Sequence, residues 1–407
     1  MDNRVRVLFV TWDGPGLHYL EGLFVPIFAA LKPHGIDFDV LQFRWGSAEA
    51  AAETRSACER VGIGYRSVTI RRRPRALGSL ATALLGGRAV RKCVAEFGSD
   101  IVMPRSLLPA FITRLAGGPR LRPMLFDADG LEADERIEFA GLSAASPTYR
   151  ILRGAEARAV RDAAAVLVRS KFARDVLVER AGRNTDAGKI FVTPNGRDPQ
   201  VYRPAPEEDR RKLRAELGID AGAPVVAHLG SVGGKYRFDK TAALARAVAE
   251  QRPDARLLVL AGAPAEAKRL LEASEPSVAA SAIVLNVAAP EVPRYLSVAD
   301  VGACCIHSTF SMRAVAPIKL AEYLQCGLPV VGTAEVGDTA PLIAAGVFCP
   351  DDDIPAAAEW IVRNVLPDRE QFRNLARQAG IDNFDIARSV ETYRQAIWSV
   401  MAQNKRS

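Results

Sequence analysis

Residues 316–333 read APIKLAEYLQCGLPVVGT, a helix opened by proline, stopped by glycine and followed by a short apolar run. Pro317 suits the first helical position, Gly327 a left-handed cap and Pro329 the exit from the turn. The run that follows is β-branched and continuous, as a parallel strand covered on both faces should be. The same unit recurs along the chain. VRVLFVTW, FDVLQF, YRSVTI, DIVMP, RPMLFD, AVLVRS and KIFVTPNG alternate with helical stretches in the first half, and PVVAHLGS, ARLLVLAG, AIVLNVA and VGACCI do so in the second. Strands separated by helices imply βαβ units and doubly wound parallel sheets.

The chain has 407 residues, more than one hydrophobic core usually supports. The polar, proline-rich segment RDPQVYRPAPEEDRRKLRAELGI has the composition of a connector. Two Rossmann-like domains are therefore expected, 1–200 and 201–385, with a ligand in the cleft between them at the carboxyl ends of the strands. An amphipathic helix, about 386–403, ends the chain. The halves share a rhythm but no residue-level repeat, which excludes a solenoid.

Apolar residues make up 49% and charged residues 25%, the balance of a soluble enzyme. No apolar run is long enough to span a bilayer, and the N-terminus enters a strand directly without a signal peptide, so a cytoplasmic protein is expected. The six cysteines form no CxxC pair and have no histidine cluster nearby, which argues against zinc and against disulfides. No bound metal is expected. The formal charge of +7 is uneven: residues 1–195 hold 29 Lys/Arg against 21 Asp/Glu, a net of +8, leaving −1 for the remainder. A positive first half suits anionic lipid, nucleic acid or phosphorylated ligands. Nucleic acid is disfavoured because that half has neither a recognition helix nor interleaved aromatics.

Several stretches carry candidate chemistry. The loop DGPG, with Gly14 and Gly16, lies between the first strand and first helix, either as a bare turn or as a loop that approaches substrate or phosphate. HLGSVGGKYRFDK repeats this arrangement at the start of the second half, with Gly230 followed by Lys235, Arg237 and Lys240. It is no Walker motif, but such a loop suits a diphosphate. In the opening stretch, Lys319 falls in the first helical turn, where its charge opposes the helix dipole unless an anion sits there. Glu322 lies three residues on, adjacent to Lys319 on the same face, where an i,i+3 ion pair and a shared ligand site are equally open readings.

TPNGRDPQVYRP resembles the P-N-G-x-D-x-x-x-F-x-P segment of family-4 glycosyltransferases, with Tyr202 in the aromatic place. PIKLAEYLQCGLPVVGT resembles their E-A-x-A-x-G-x-P-V-V signature, with Glu322 as its glutamate. VGDTAPLI, the ETYRQAIW helix and LFDADGLEADER, which contains Asp127, also fit, so the resemblance covers essentially the whole chain. It implies the GT-B fold, with the C-terminal helix crossing back to the first domain. It further implies a nucleotide-sugar donor, UDP-sugar favoured over GDP-sugar, and metal-independent transfer with retention. Glu322 would then meet the donor ribose, because both carboxylate oxygens can accept from vicinal hydroxyls. Lys235 and Lys319 would meet the diphosphate, beside Gly230.

Two positions depart from the pattern. Ala314 stands where many relatives carry a sugar-contacting glutamate, and Arg313 is the nearest charge available to stabilise the leaving phosphate. Arg105 stands where many carry histidine; with Gly14, Gly16 and Asp127 it is expected on the acceptor side. The acceptor expected is a glycan or lipid-linked sugar in surface polysaccharide or glycolipid synthesis. RRRPRALGSLATALLGGRAVRK suggests peripheral contact with an anionic membrane. Two other readings are open: a catalytically impaired GT-B protein serving as a binding or assembly partner, and a sugar-nucleotide epimerase of the same fold.

Overall fold

In a computed structural model, described for residues 4–14, 19–70 and 75–404, the chain divides into two compact units. One comprises Met1–Pro194 with Ala387–Ser407, the other Asn195–Ile386. The division falls at Pro194, six residues before the boundary expected at 200. The reason is local: the Asn195 side chain donates to the Ala316 carbonyl at 2.7 Å. The Arg197 amide donates to Phe384 O at 2.8 Å and its carbonyl accepts from Ile386 N at 2.9 Å. This segment is thus already stitched into the second unit.

The first unit carries β1 (Val5–Asp13), β2 (Ile36–Arg44), β3 (Gly64–Thr69), β4 (Ile101–Pro104), β5 (Leu125–Asp127), β6 (Ala165–Val168) and β7 (Ile190–Val192). They pair in parallel in the orders β3-β2-β1-β4 and β5-β6-β7. Parallel bridges Val102–Met124 and Arg105–Asp127 join β4 to β5. Val7, Leu8, Phe9 and Val10 are all fully buried, because helices cover both faces and no alternation is needed. Ahead of Gly35 the chain forms a wide π turn, Leu20–Phe24, followed by the helix Val25–Leu31. Pro26 lacks an N–H, and the wide turn absorbs the missing bond. Of the arginine run before the long helix Arg75–Phe97, residues 71–74 lie outside the described residues.

The second unit carries β8 (Val225–Leu229), β9 (Arg256–Leu260), β10 (Ile283–Leu285), β11 (Val301–Cys304), β12 (Val330–Gly332) and β13 (Phe348–Pro350). Their order, β10-β9-β8-β11-β12-β13, repeats that of the first unit, and every pair is parallel. The order reverses between β1 and β4 in one unit and between β8 and β11 in the other. Those are the points where doubly wound sheets bind ligands, at the strands' carboxyl ends.

The helix of the opening stretch is Ile318–Gln325, with Pro317 as its N-cap (φ −64°, ψ 121°) rather than its first helical residue. Tyr323 fastens it over this switch point. Its hydroxyl accepts the Leu229 N–H at 2.7 Å and donates to Ala303 O at 3.3 Å. Gly302 makes room for the ring, since a Cβ there would stand 2.5 Å from it. At the amino ends of the same strands, Asp300 accepts from Arg210 and Arg369, each at 3.0 Å, and from the Val225 amide at 2.9 Å.

Candidate active site

The second unit gathers both sequence motifs into one site. Lys319 is 7% exposed and stands with Nζ 4.0 Å from the centroid of the Tyr236 ring. It makes no ion pair among the described residues, and burial lowers its ammonium from the usual lysine value. Gly230 ends β8 beside it: φ is +95°, and a Cβ there would stand 3.8 Å from Lys319 Nζ. A buried cation, a helix N-terminus and an open glycine turn together make a receptor for an anion.

Glu322 is not paired with Lys319. Arg197 Nη2 donates to Glu322 Oε1 at 2.6 Å, and the Tyr202 hydroxyl also bonds the carboxylate. Burial, then the Glu322 charge, push the Tyr202 hydroxyl well above the usual tyrosine value. Arg197 fills the variable place of P-N-G-x-D, so the two motifs meet at one carboxylate. The i,i+3 pair does not form, because Arg197, a fork-shaped donor, outcompetes an ammonium placed over an aromatic ring.

The other donor-side residues are placed as follows. Lys235 is half-buried on the turn after β8, and its carbonyl accepts from the His307 amide at 3.0 Å. Tyr236 bridges Ile306 in antiparallel fashion, closing that turn onto the end of β11. Of the three cations on that loop, two are engaged elsewhere: Arg237 with Asp239 at 2.6 Å and Lys240 with Asp351 at 3.1 Å. Arg313 is exposed on the turn Met312–Ala314. Ala314 is fully buried and offers a ligand no polar side-chain atom.

In the first unit, a polar network occupies the carboxyl ends of β1, β4, β5 and β6. Arg169 Nη2 donates to both oxygens of Asp127 at 2.7 Å. Arg105 Nη2 donates to Asp129 at 2.7 Å, with Nε 4.0 Å from Asp127, and its guanidinium lies over Tyr19 and Phe24. Tyr393 of the terminal helix Ile386–Asn404 bonds Arg169. Asp13 accepts from Thr11 and Gln42, and burial raises its carboxyl above the usual range. Ser106 (φ 68°) and Asp129 (φ 60°) are the described non-glycine residues with positive φ, and the backbone of each donates to Asp127. Strain of this kind costs about 1–3 kcal/mol per residue and collects at functional sites.

Arg105, expected on the acceptor side, stands among carboxylates: Asp13, Asp127 and Asp129 face Arg105 and Arg169 here. Gly14 is explained by packing, because a Cβ would stand 2.6 Å from the Trp45 ring. Gly16 lies outside the described residues. Sequence reasoning missed Arg197, Tyr236, Asp129, Arg169 and Tyr393. Only Asp129 had a local signal, as the second acid of the DADG turn.

Residues 25–196 match the model described as Glycosyl transferase 4-like domain, and residues 223–366 match Glycosyl transferases group 1. The two matches together cover most of the chain. It belongs to the GT4-like glycosyltransferase family. Among curated relatives, alpha-maltose-1-phosphate synthase of Mycolicibacterium smegmatis is 34% identical over 116 residues, 28% of this chain and 29% of that protein. D-inositol 3-phosphate glycosyltransferase of Segniliparus rotundus is 29% identical over 204 residues, 48% of this chain and 43% of that protein. The chain thus spans less than half the length of either. Among solved structures, Anabaena HepE in complex with UDP superposes with a TM-score of 0.69 at 19% identity, over 97% of this chain and 100% of that one. This likeness establishes the GT-B fold.

Proposed function

We propose that the chain is a glycosyltransferase that moves a sugar, with retention, from a nucleotide-sugar donor to a glycan or glycolipid acceptor. The observation that carries this reading is Lys319, a buried cation without an ion-pair partner among the described residues, at a helix N-terminus beside the Gly230 turn. The donor diphosphate would complete that site, Lys235 and Arg313 would add charge as the leaving phosphate forms, and Glu322 would take the ribose. UDP is favoured as the nucleotide; HepE is described in complexes with UDP and with UDP-glucose. No bound metal is required in this reading, because side-chain cations neutralise the diphosphate.

The acceptor is read as a hydroxyl-rich group rather than a free phosphate. The network of Asp13, Asp127 and Asp129 with Arg105 and Arg169 has more carboxylates than cations, and carboxylates recognise hydroxyls. A surface polysaccharide or glycolipid acceptor fits this chemistry. The test is release of UDP from UDP-glucose or a related donor across a panel of glycan acceptors. Turnover that depends on acceptor, persists in EDTA and falls about 10²-fold or more in Glu322→Ala supports the proposal. Donor binding without turnover on any acceptor would instead favour a catalytically impaired binding protein, the reading that Ala314 suggests.

No described helix is long and apolar enough to cross a membrane. A cytoplasmic protein with peripheral contact is proposed, because Leu84 and Leu85 are 54% and 55% exposed on Arg75–Phe97, beside exposed Arg88, Arg91 and Lys92. Co-sedimentation with vesicles containing phosphatidylglycerol should occur at low salt and weaken in Leu84→Ser/Leu85→Ser. Equal sedimentation with neutral vesicles, or none with either, counts against it.

A further inference from the structure

The ribose contact assigned to Glu322 is the starting point, and the following rests on that reading. Glu322 is 8% exposed and stands on a helix whose own lysine does not reach it. Its carboxylate is held instead by a residue 125 positions earlier in the chain, Arg197, through a 2.6 Å bond. We infer that Arg197 is a positioning residue for the donor ribose, fixing the Glu322 carboxylate so that its remaining acceptor sites face the two vicinal hydroxyls.

Arg197 is itself immobilised. Its amide and carbonyl are bonded to Phe384 and Ile386, and the same carbonyl accepts from Gln325 Nε2 at 3.0 Å. Gln325 lies one turn beyond Glu322 on the same helix, so donor and acceptor are fixed to one frame. The guanidinium stands 5.4 Å from the Tyr202 ring centroid, and Tyr202 delivers its hydroxyl to the same carboxylate. An ionised carboxylate has about four lone-pair sites. Arg197 and Tyr202 occupy two, which leaves two for a cis-diol. A rigid fork suits this task better than a flexible ammonium.

Calorimetric titrations of the full chain with UDP, GDP and ADP, their 2′-deoxy forms and inorganic pyrophosphate test the inference. The parent protein should prefer a ribonucleotide to its 2′-deoxy form by about tenfold or more, the worth of hydrogen bonds to a charged group. Arg197→Met should bring that ratio to within about twofold of unity while pyrophosphate affinity stays within about twofold of the parent's. Arg197→Lys retains the charge, guards against misfolding of the methionine variant, and should show a reduced ratio with folding intact. An unchanged ratio in the folded lysine variant overturns the role of Arg197 alone. Tighter ribonucleotide binding by either variant does so too, because Arg197 would then compete with ribose. Equal binding of ribo and deoxy forms by the parent removes the Glu322 assignment, and no saturable nucleotide binding removes the donor site itself.

Discussion

Lys319→Met should abolish nucleoside diphosphate binding and at the same time stabilise the ligand-free protein. The two effects have one cause. Lys319 is buried without a counter-ion among the described residues, so it bears the cost of a desolvated charge that a bound anion would offset. Methionine has similar length and no charge, so it fills the same space beside Tyr236 and Gly230. Thermal denaturation of the variant without ligand should show a gain on the order of 1–3 kcal/mol. Transfer should fall about 10²–10³-fold, the range for losing one group that stabilises developing charge. The pH dependence follows from the same burial. The folded-state pKa lies below the usual 10.5, so between that lowered value and 10.5 the unfolded chain holds the extra proton. Ligand-free stability attributable to Lys319 should therefore rise with pH across that window, and the variant should lose the slope. A variant that is less stable and still binds UDP would contradict the assignment.

Asp300→Ala should unfold the second unit or bring it close to unfolding. Arg210 and Arg369 bond one oxygen of Asp300 at 3.0 Å, and Arg214 approaches the other at 3.9 Å. The side chains of Arg210 and Arg214 are 7% and 2% exposed, so removing the carboxylate strands two guanidiniums away from water. Burial, together with the like charges of Arg210, Arg369 and Arg373, already pushes Arg214 down to about 10. Breaking such a buried set from one side costs about 3–5 kcal/mol, a large share of a typical 5–15 kcal/mol stability. Asp300 also accepts the Val225 amide at the start of β8, so the damage should reach the central strand. Asparagine can keep that backbone bond but not the charge, and urea denaturation should place Asp300→Asn between the parent and alanine. An alanine variant within about 1 kcal/mol of the parent would show that solvent reaches the cluster.

Asp300 and Lys319 mark the two ends of one sheet, and they differ in how far the sequence disclosed them. The strands were legible because helices cover both sheet faces, which turns each strand into a continuous apolar run. The helix Ile318–Gln325 was legible from Pro317, Gly327 and Pro329, with an error of one residue at its start. Lys319 was legible as a charge in an unfavourable place. The partner of Glu322 was not. Glu322 lies three residues away, yet it is satisfied by Arg197 from a segment 125 positions earlier, and side-chain pairing over that separation depends on tertiary packing alone. Arg197 itself occupied a variable place in its motif and gave no signal. The same limit hid Tyr393 beside Arg169, two residues brought together only when the last helix joins the first unit. Arg105 shows the same limit from the other side. Its charge was readable, but the carboxylates of Asp127 and Asp129 that neutralise it were not assigned to it.

The anion receptor at Gly230 and Lys319 should hold the diphosphate of a nucleotide donor. Competition calorimetry on the full chain tests it most directly: saturation with UDP, GDP or ADP, displaced by inorganic pyrophosphate, in parent and Lys319→Met. The parent should show a single saturable site that pyrophosphate empties and the variant lacks. Nucleotide binding that pyrophosphate does not displace, or that survives in Lys319→Met, would contradict it.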